Sequence, residues 1–165
     1  MAGVTLTLKP TGLKDVEARL AHLAAATHSP NRLMKRIAVV LENSTRQRFR
    51  TGIAPDGVPW KPSLRASASG GKTLVLSGRL RDSITSAADD RRAMVGTNLI
   101  YGLIHQVGGV IVAKHAKALR FFMKGVGWRQ VAKVAIPARP YLGISNRDRD
   151  SIADQVRLDI ERSLA

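Results

Sequence analysis

Two amphipathic stripes, with a long turn-rich stretch between them, constrain this sequence more than any other feature. Ile152, Val156, Ile160 and Leu164 recur every four residues, the spacing that lines one face of a helix. Ser145 and Asp148 stand ahead of them at capping-box spacing, in the weaker Asp form. Upstream, Ser29-Pro30 offers an N-cap followed by proline at the first helical position, and Leu33, Ile37, Val40, Leu41 and Ser44 run as one stripe toward Gly52. The pattern predicts a helix from about 30 to 50 and an amphipathic C-terminal helix.

Shorter elements fill the rest. Val4, Leu6 and Leu8 alternate with Thr5, Thr7 and Lys9, as in a half-buried strand that stops at Pro10. Leu13, Val16, Leu20, Leu23 and Ala24 then return to helical spacing. Leu74 to Gly78 reads as a strand that stops, and Leu80 and Ile84 share a helical turn. A strand over Arg92–Thr97 follows the Asp89-Asp90 turn, and a short helix over Leu99–Val107 is closed by Gly108-Gly109. Val110–Ala113 is extended, and β-branched residues favour a strand over Gln130–Ile136, ended by Pro137. Residues 51–73 read as a long Gly-, Pro- and Ser-rich loop around Trp60, and 113–129 as a hairpin or excursion. The expected architecture is α+β: an antiparallel sheet packed with two N-terminal helices and a C-terminal amphipathic helix. At 165 residues the chain suits one domain over 1–165, burying roughly 70% of its unfolded surface.

Composition removes much chemistry. There is no cysteine, hence no disulfide, thiolate metal site or Cys nucleophile. No apolar run approaches the roughly 18 to 20 residues of a membrane span, and the start, MAGVTLTLKP, lacks the order of an export signal. The expectation is a chain made and kept in a cytoplasm, without a membrane partner. Gly71-Lys72-Thr73 matches the end of a phosphate loop, but Ala66 occupies the leading glycine position and no helix is predicted to follow. His22, His28, His105 and His115 contain no i, i+4 pair of the kind that binds zinc on a helix. Asp56 and Asp82 have no spacing that makes them an acid–base pair, and no serine lies in a Gly-x-Ser-x-Gly elbow. No catalytic, cofactor or metal residue is therefore assigned.

The net charge is +15, from 27 Lys and Arg against 12 Asp and Glu. Two sources fit it: a genome rich in Arg and Ala codons, and an acidic partner. No zinc finger, basic zipper or single-strand stacking motif appears, and aromatics are 4% of residues. What remains is non-specific phosphate contact through Lys114, Lys117, Arg120, Lys124 and Arg129.

Five short pieces occur in a telling order. They are Phe49 with Pro55-Asp56-Gly57-Val58-Pro59-Trp60, Leu76-Ser77-Gly78-Arg79-Leu80 before Ser83-Ile84, and Val95-Gly96-Thr97 before Tyr101. Ile104-His105-Gln106-Val107-Gly108-Gly109 and Ile136-Pro137-Ala138-Arg139-Pro140-Tyr141-Leu142-Gly143 complete the set. Over Arg48 to Gly143 the chain resembles the phage virion morphogenesis family of Mu-like tail-completion proteins. The resemblance implies a non-enzymatic neck protein of the virion, made in the host cytoplasm. It would finish the tail end and help join it to the head, with connector or tail-tube proteins as neighbours. Sixfold tails imply a ring of six, whose heterologous contacts close on themselves.

Physical roles can be read beside the motifs. Gly108 and Gly109 let a helix stop and re-enter extended structure. His105 and Gln106 are placed to satisfy carbonyls at the helix end or the neighbouring strand, while Pro137 and Pro140 stiffen the link to the last helix. Arg139 offers a two-pronged donor for a carboxylate. Trp60 covers either the core or an adjacent subunit. Both long loops are expected to be subunit or neck-partner contacts, with Trp60 in one. In the other, Phe121, Phe122 and Trp128 stand among Lys114, Lys117, Arg120, Lys124 and Arg129; core anchoring is the competing explanation.

Overall fold

The computed structural model describes residues 30–164 apart from 115, so the strand over 3–9, the helix over 13–24 and His22, His28 and His115 lie outside the described residues. Helix α1, Pro30–Thr51, buries Leu33, Met34, Ile37, Ala38, Leu41, Thr45, Arg48 and Phe49 along one stripe. It stops where the Gly52 N–H closes on the Arg48 carbonyl at 2.7 Å. Two short helices follow, α2 over Leu64–Ser69 and α3 over Arg79–Asp82. The hairpin of β1, Thr85–Ala88, and β2, Ala93–Gly96, packs on α1. Next come α4, Gly102–Val107, and β3, Gly109–Val112. Strands β4, Leu119–Met123, β5, Gly127–Val131, and β6, Lys133–Ile136, then lead to α5, Asn146–Leu164. The α+β class holds, with the antiparallel strands arranged as three two-stranded ladders: β1 with β2, β3 with β6, and β4 with β5.

Two apolar clusters carry the packing. In one, Leu33, Met34, Ile37 and Leu41 of α1 meet Val156 of α5, with Ile152 and Ile160 half-buried beside them. Those three residues belong to the C-terminal stripe read from the sequence. Arg36 pairs with Asp159 across the same helix contact. In the other, Phe49, Trp60 and Tyr141 form an aromatic group, with ring centroids 5.5 and 5.3 Å from Phe49. Leu80, Ile84, Leu142 and Ala54 close around it. Val95 on β2 touches both clusters and joins them.

Two expectations change. Leu74–Gly78 is turn rather than strand: Leu74 sits at φ 60, a conformation no strand contains, and Leu74 and Val75 lie half-buried on the aromatic cluster. Residues 51–73 are not a plain loop, since Ser63 caps α2 through its Oγ and Ile53 bridges Pro59. Of the two readings of 113–129, the hairpin holds, as the β4–β5 ladder. Strand β1 was not anticipated; its Thr85-Ser86-Ala87-Ala88 has no large apolar residue to mark a face.

Candidate functional site

The connection from Pro137 to Gly143 is held by three side chains from other parts of the fold. The Gln106 side chain imitates a strand edge: its Oε1 accepts the N–H groups of Tyr141 at 3.0 Å and Leu142 at 2.9 Å, while its Nε2 donates to the Leu142 carbonyl at 2.9 Å. The indole N–H of Trp60 donates to the Pro140 carbonyl at 2.8 Å. Arg48 donates to the carbonyls of Tyr141 at 2.8 Å and Gly143 at 3.0 Å. Those bonds come from Nη1; its Nη2 donates to the buried carboxylate of Asp148 and to Ser44 Oγ. That carboxylate also accepts the N–H and hydroxyl of Ser145 at 2.8 Å, and Ser145 Oγ accepts the Asp148 N–H at 3.2 Å. The reciprocal cap read from the sequence is thus the start of α5.

Charge and burial follow from this enclosure. Burial pushes the Arg48 guanidinium pKa down while Asp148 opposes the shift, and burial alone pushes the Tyr141 phenol up to about 12. Among the described residues Arg139 meets no carboxylate, contrary to expectation. Its Nε donates to the Lys61 carbonyl at 2.7 Å and its backbone N–H to the His105 carbonyl at 2.8 Å, which ties 61–62 to α4. The His105 ring satisfies no helix-end carbonyl of a described residue either. It stands edge-on to Tyr101, half-buried, with a buried Nδ1 that has no partner among the described residues. Burial, and secondarily Arg139, hold its pKa below the usual 6.5.

Close approach explains the glycines. A Cβ on Gly102 would lie 2.7 Å from Tyr141 Oη, and one on Gly108, at φ 75, would lie 2.7 Å from the backbone nitrogen of Ala138. Gly78 precedes α3 and Leu80 is buried beneath it, while Gly109 opens β3 and Pro137 follows β6. A cavity of about 20 Å³ between Gln106, Tyr141 and Thr97 has room for a water. The motif residues therefore converge on one knot, whose polar groups are engaged mainly with one another. Of the two readings of Trp60, the structure has the core anchor, at 6% exposure. Sequence reasoning missed Arg48. Its signal was position: it continues the stripe of Leu33, Ile37, Leu41 and Ser44, so a cation had to be buried there and needed a carboxylate.

The other predicted residues form a second region. Ladders β3–β6 and β4–β5 follow one another with only Ala132 between them on the return strand and residues 113–118 between them on the outgoing one. They are two separate two-stranded sheets, called the ribbon together; the outer one, β4–β5, has roughly 17 Å of paired length at about 3.3 Å per residue. Each ladder finds its main contacts within itself. Lys114, Lys117, Arg120, Lys124, Arg129, Phe122 and Trp128 are exposed on it, whereas Phe121 is half-buried on the opposite face. Among the described residues no group of three or more His, Cys, Asp or Glu could hold a metal ion, and no helix is long and apolar enough to cross a membrane.

Comparison with known proteins agrees with the motif order. The phage virion morphogenesis family profile matches residues 11–161. The chain is 35% identical over 144 residues to the Mu-like prophage FluMu G protein 2 of Haemophilus influenzae, covering 87% of this chain and 88% of that protein. It is 27% identical over 162 residues to a protein of Escherichia phage Mu described as capsid assembly protein G, covering 92% of each. No solved structure matches. A knot built from the family motifs and a match over nearly the whole chain lead to one conclusion: the chain belongs to the phage virion morphogenesis family.

Proposed function

We propose that this chain is a non-enzymatic subunit of the virion neck, completing the tail end and helping to join it to the head as one member of a closed ring of six. Family membership makes phage assembly its field of action, and the capsid-assembly description of the phage Mu relative supports a structural role. The observation that carries the finer reading is an apolar surface at the root of the ribbon. Leu103 and Val107 share one face of α4 at 38% and 59% exposure, and Val110 and Val112 of the adjoining β3 stand at 59% and 53%. Fully burying an aliphatic side chain of this size is worth about 1.5 to 3 kcal/mol, so a protein surface is the natural cover. A chain of charge +15 repels its copies, and ring contacts must therefore rest on apolar area.

Electron microscopy of purified particles tests this, with wild type and a Leu103→Asp/Val107→Asp variant. The expected result is a stoichiometric ring at the head–tail junction. The variant should melt like wild type yet leave heads and tails unjoined. Particles that join normally without the chain, or with the double variant, would overturn the neck reading.

A further inference from the structure

Between Gly109 and Ile136 the ribbon carries Lys114, Lys117, Arg120, Lys124, Arg129 and Lys133 and no acidic residue. None of these cations pairs with a carboxylate among the described residues. The cations also keep unusual company. Phe122 and Trp128 oppose each other across β4 and β5, 61% and 69% exposed, with ring centroids 5.8 Å apart at 67°. Because side chains alternate along a strand, Arg120 and its cross-strand partner Gln130 share that face.

Neither half of this surface explains the other in a protein–protein setting. A solvated face accounts for cations but not for an exposed aromatic pair, and an apolar dock accounts for the aromatics but gains nothing from a run of cations without a counter-charge. A duplex groove needs both. The major groove of B-form DNA is about 12 Å wide and admits a two-stranded β-ribbon, with phosphates along both rims and base edges and thymine methyls on its floor. Here Arg120 stands on the face of the aromatics and Arg129, opposite Phe121, on the other, with Lys117 ahead of β4 and Lys124 at the turn.

We infer that the β4–β5 hairpin is an arm for double-stranded DNA, the Lys and Arg residues on and beside it holding phosphates while the Phe122–Trp128 pair rests against the groove floor. Phosphate contact dominates, so binding is indifferent to sequence and falls steeply with salt. A-form duplex RNA does not fit, because its major groove is too deep and narrow for protein side chains to read. The inference does not rest on the neck reading, since it concerns what the isolated chain binds.

The test uses the purified full-length chain and a short duplex of arbitrary sequence, with affinity measured by anisotropy over about 50 to 200 mM salt. Removing Lys117, Arg120, Lys124 and Arg129 together as alanines should weaken binding at least about tenfold and flatten the log–log salt slope by about 3 to 4, at about 0.9 for each phosphate released. Removing four exposed cations elsewhere, Arg32, Lys35, Arg91 and Arg92, should cost much less. Trp128 emission should change on binding, and the change should vanish in Trp128→Phe, which leaves the buried Trp60 as the remaining indole. Equal losses from the two charge variants would overturn the inference, as would Trp128 emission indifferent to DNA. So would equal affinity for duplex RNA, or for polyglutamate, the latter pointing to an acidic protein partner. Unchanged thermal melting of each variant shows that folding is not what was measured.

Discussion

The ribbon and the connection that follows it are consecutive in the chain and opposite in physics. From Pro137 onward, Arg139, Tyr141 and Leu142 are buried, and backbone groups are taken up by Gln106, Trp60, Arg48 and Arg139 itself. Immediately before it, Trp128, Arg129, Gln130 and Lys133 face water on a pair of strands with few neighbours. A two-stranded hairpin is at best marginally stable alone in water, so the ribbon depends on its root, and the knot is that root. Stability and recognition are thus separated along a few residues of sequence: changes in the knot should unfold the chain, and changes in the ribbon should alter only what it binds.

The largest effect should come from breaking the buried ion pair. Arg48→Met leaves the Asp148 carboxylate enclosed without its cation, a loss of about 3 to 5 kcal/mol in denaturant unfolding. A loss below about 1 kcal/mol would mean a solvent-screened pair, and the contrast between the two regions would collapse. Gly108→Ala comes next. The new Cβ meets backbone at 2.7 and 3.0 Å, and φ 75 disfavours any side chain, so about 1 to 3 kcal/mol should be lost, read from the same transition.

Periodicity made the helices legible. The stripes of α1 and α5, and the Ser145–Asp148 cap, are local patterns that tertiary structure has no reason to override. The β1–β2 turn and the stop at Gly108 were legible for the same reason. What failed was partner choice. Arg139 was matched to a carboxylate by its chemistry, yet the groups within its reach are the carbonyls of Lys61 and Pro62, brought there from more than seventy residues away. Gln106 shows the converse: a helix-end polar group was noticed, but only the fold reveals that it substitutes for a strand edge. Leu74–Leu76 looked like a strand because its run of apolar residues has no helical period, and a short buried turn produces the same run.

A smaller effect separates the knot from the ribbon by pH. His105 is held below its ordinary value of 6.5 by burial and by Arg139, so the unfolded chain binds its proton more readily than the folded one. Stability therefore rises with pH through the interval between the folded value and 6.5, is fully present above it, and is lost as the pH falls. His105→Gln should flatten that acid limb of the stability curve. An unchanged limb would assign the acid sensitivity to other groups, whereas removing the Lys residues of the ribbon should leave it unmoved.

The smallest effect on stability belongs to the ribbon, and it sharpens the comparison most. Trp128→Ala removes a large aromatic that is 69% exposed, so unfolding of the isolated chain should shift by no more than about 0.5 kcal/mol. The same change at Trp60, buried and hydrogen-bonded to Pro140, should cost about 3 to 5 kcal/mol. Hydrogen exchange extends the contrast to the backbone. Amides around Trp60 should be protected in the isolated chain and in the particle alike, because the core already covers them. Amides of β4 and β5 should exchange fast in the isolated chain, where opening the ribbon exposes little apolar surface, and become protected once a partner lies against it. If β4 and β5 are already protected in a verified monomer, the ribbon is stabilised by the chain itself. Its aromatics then need no partner to explain them, and the division of labour between knot and ribbon falls.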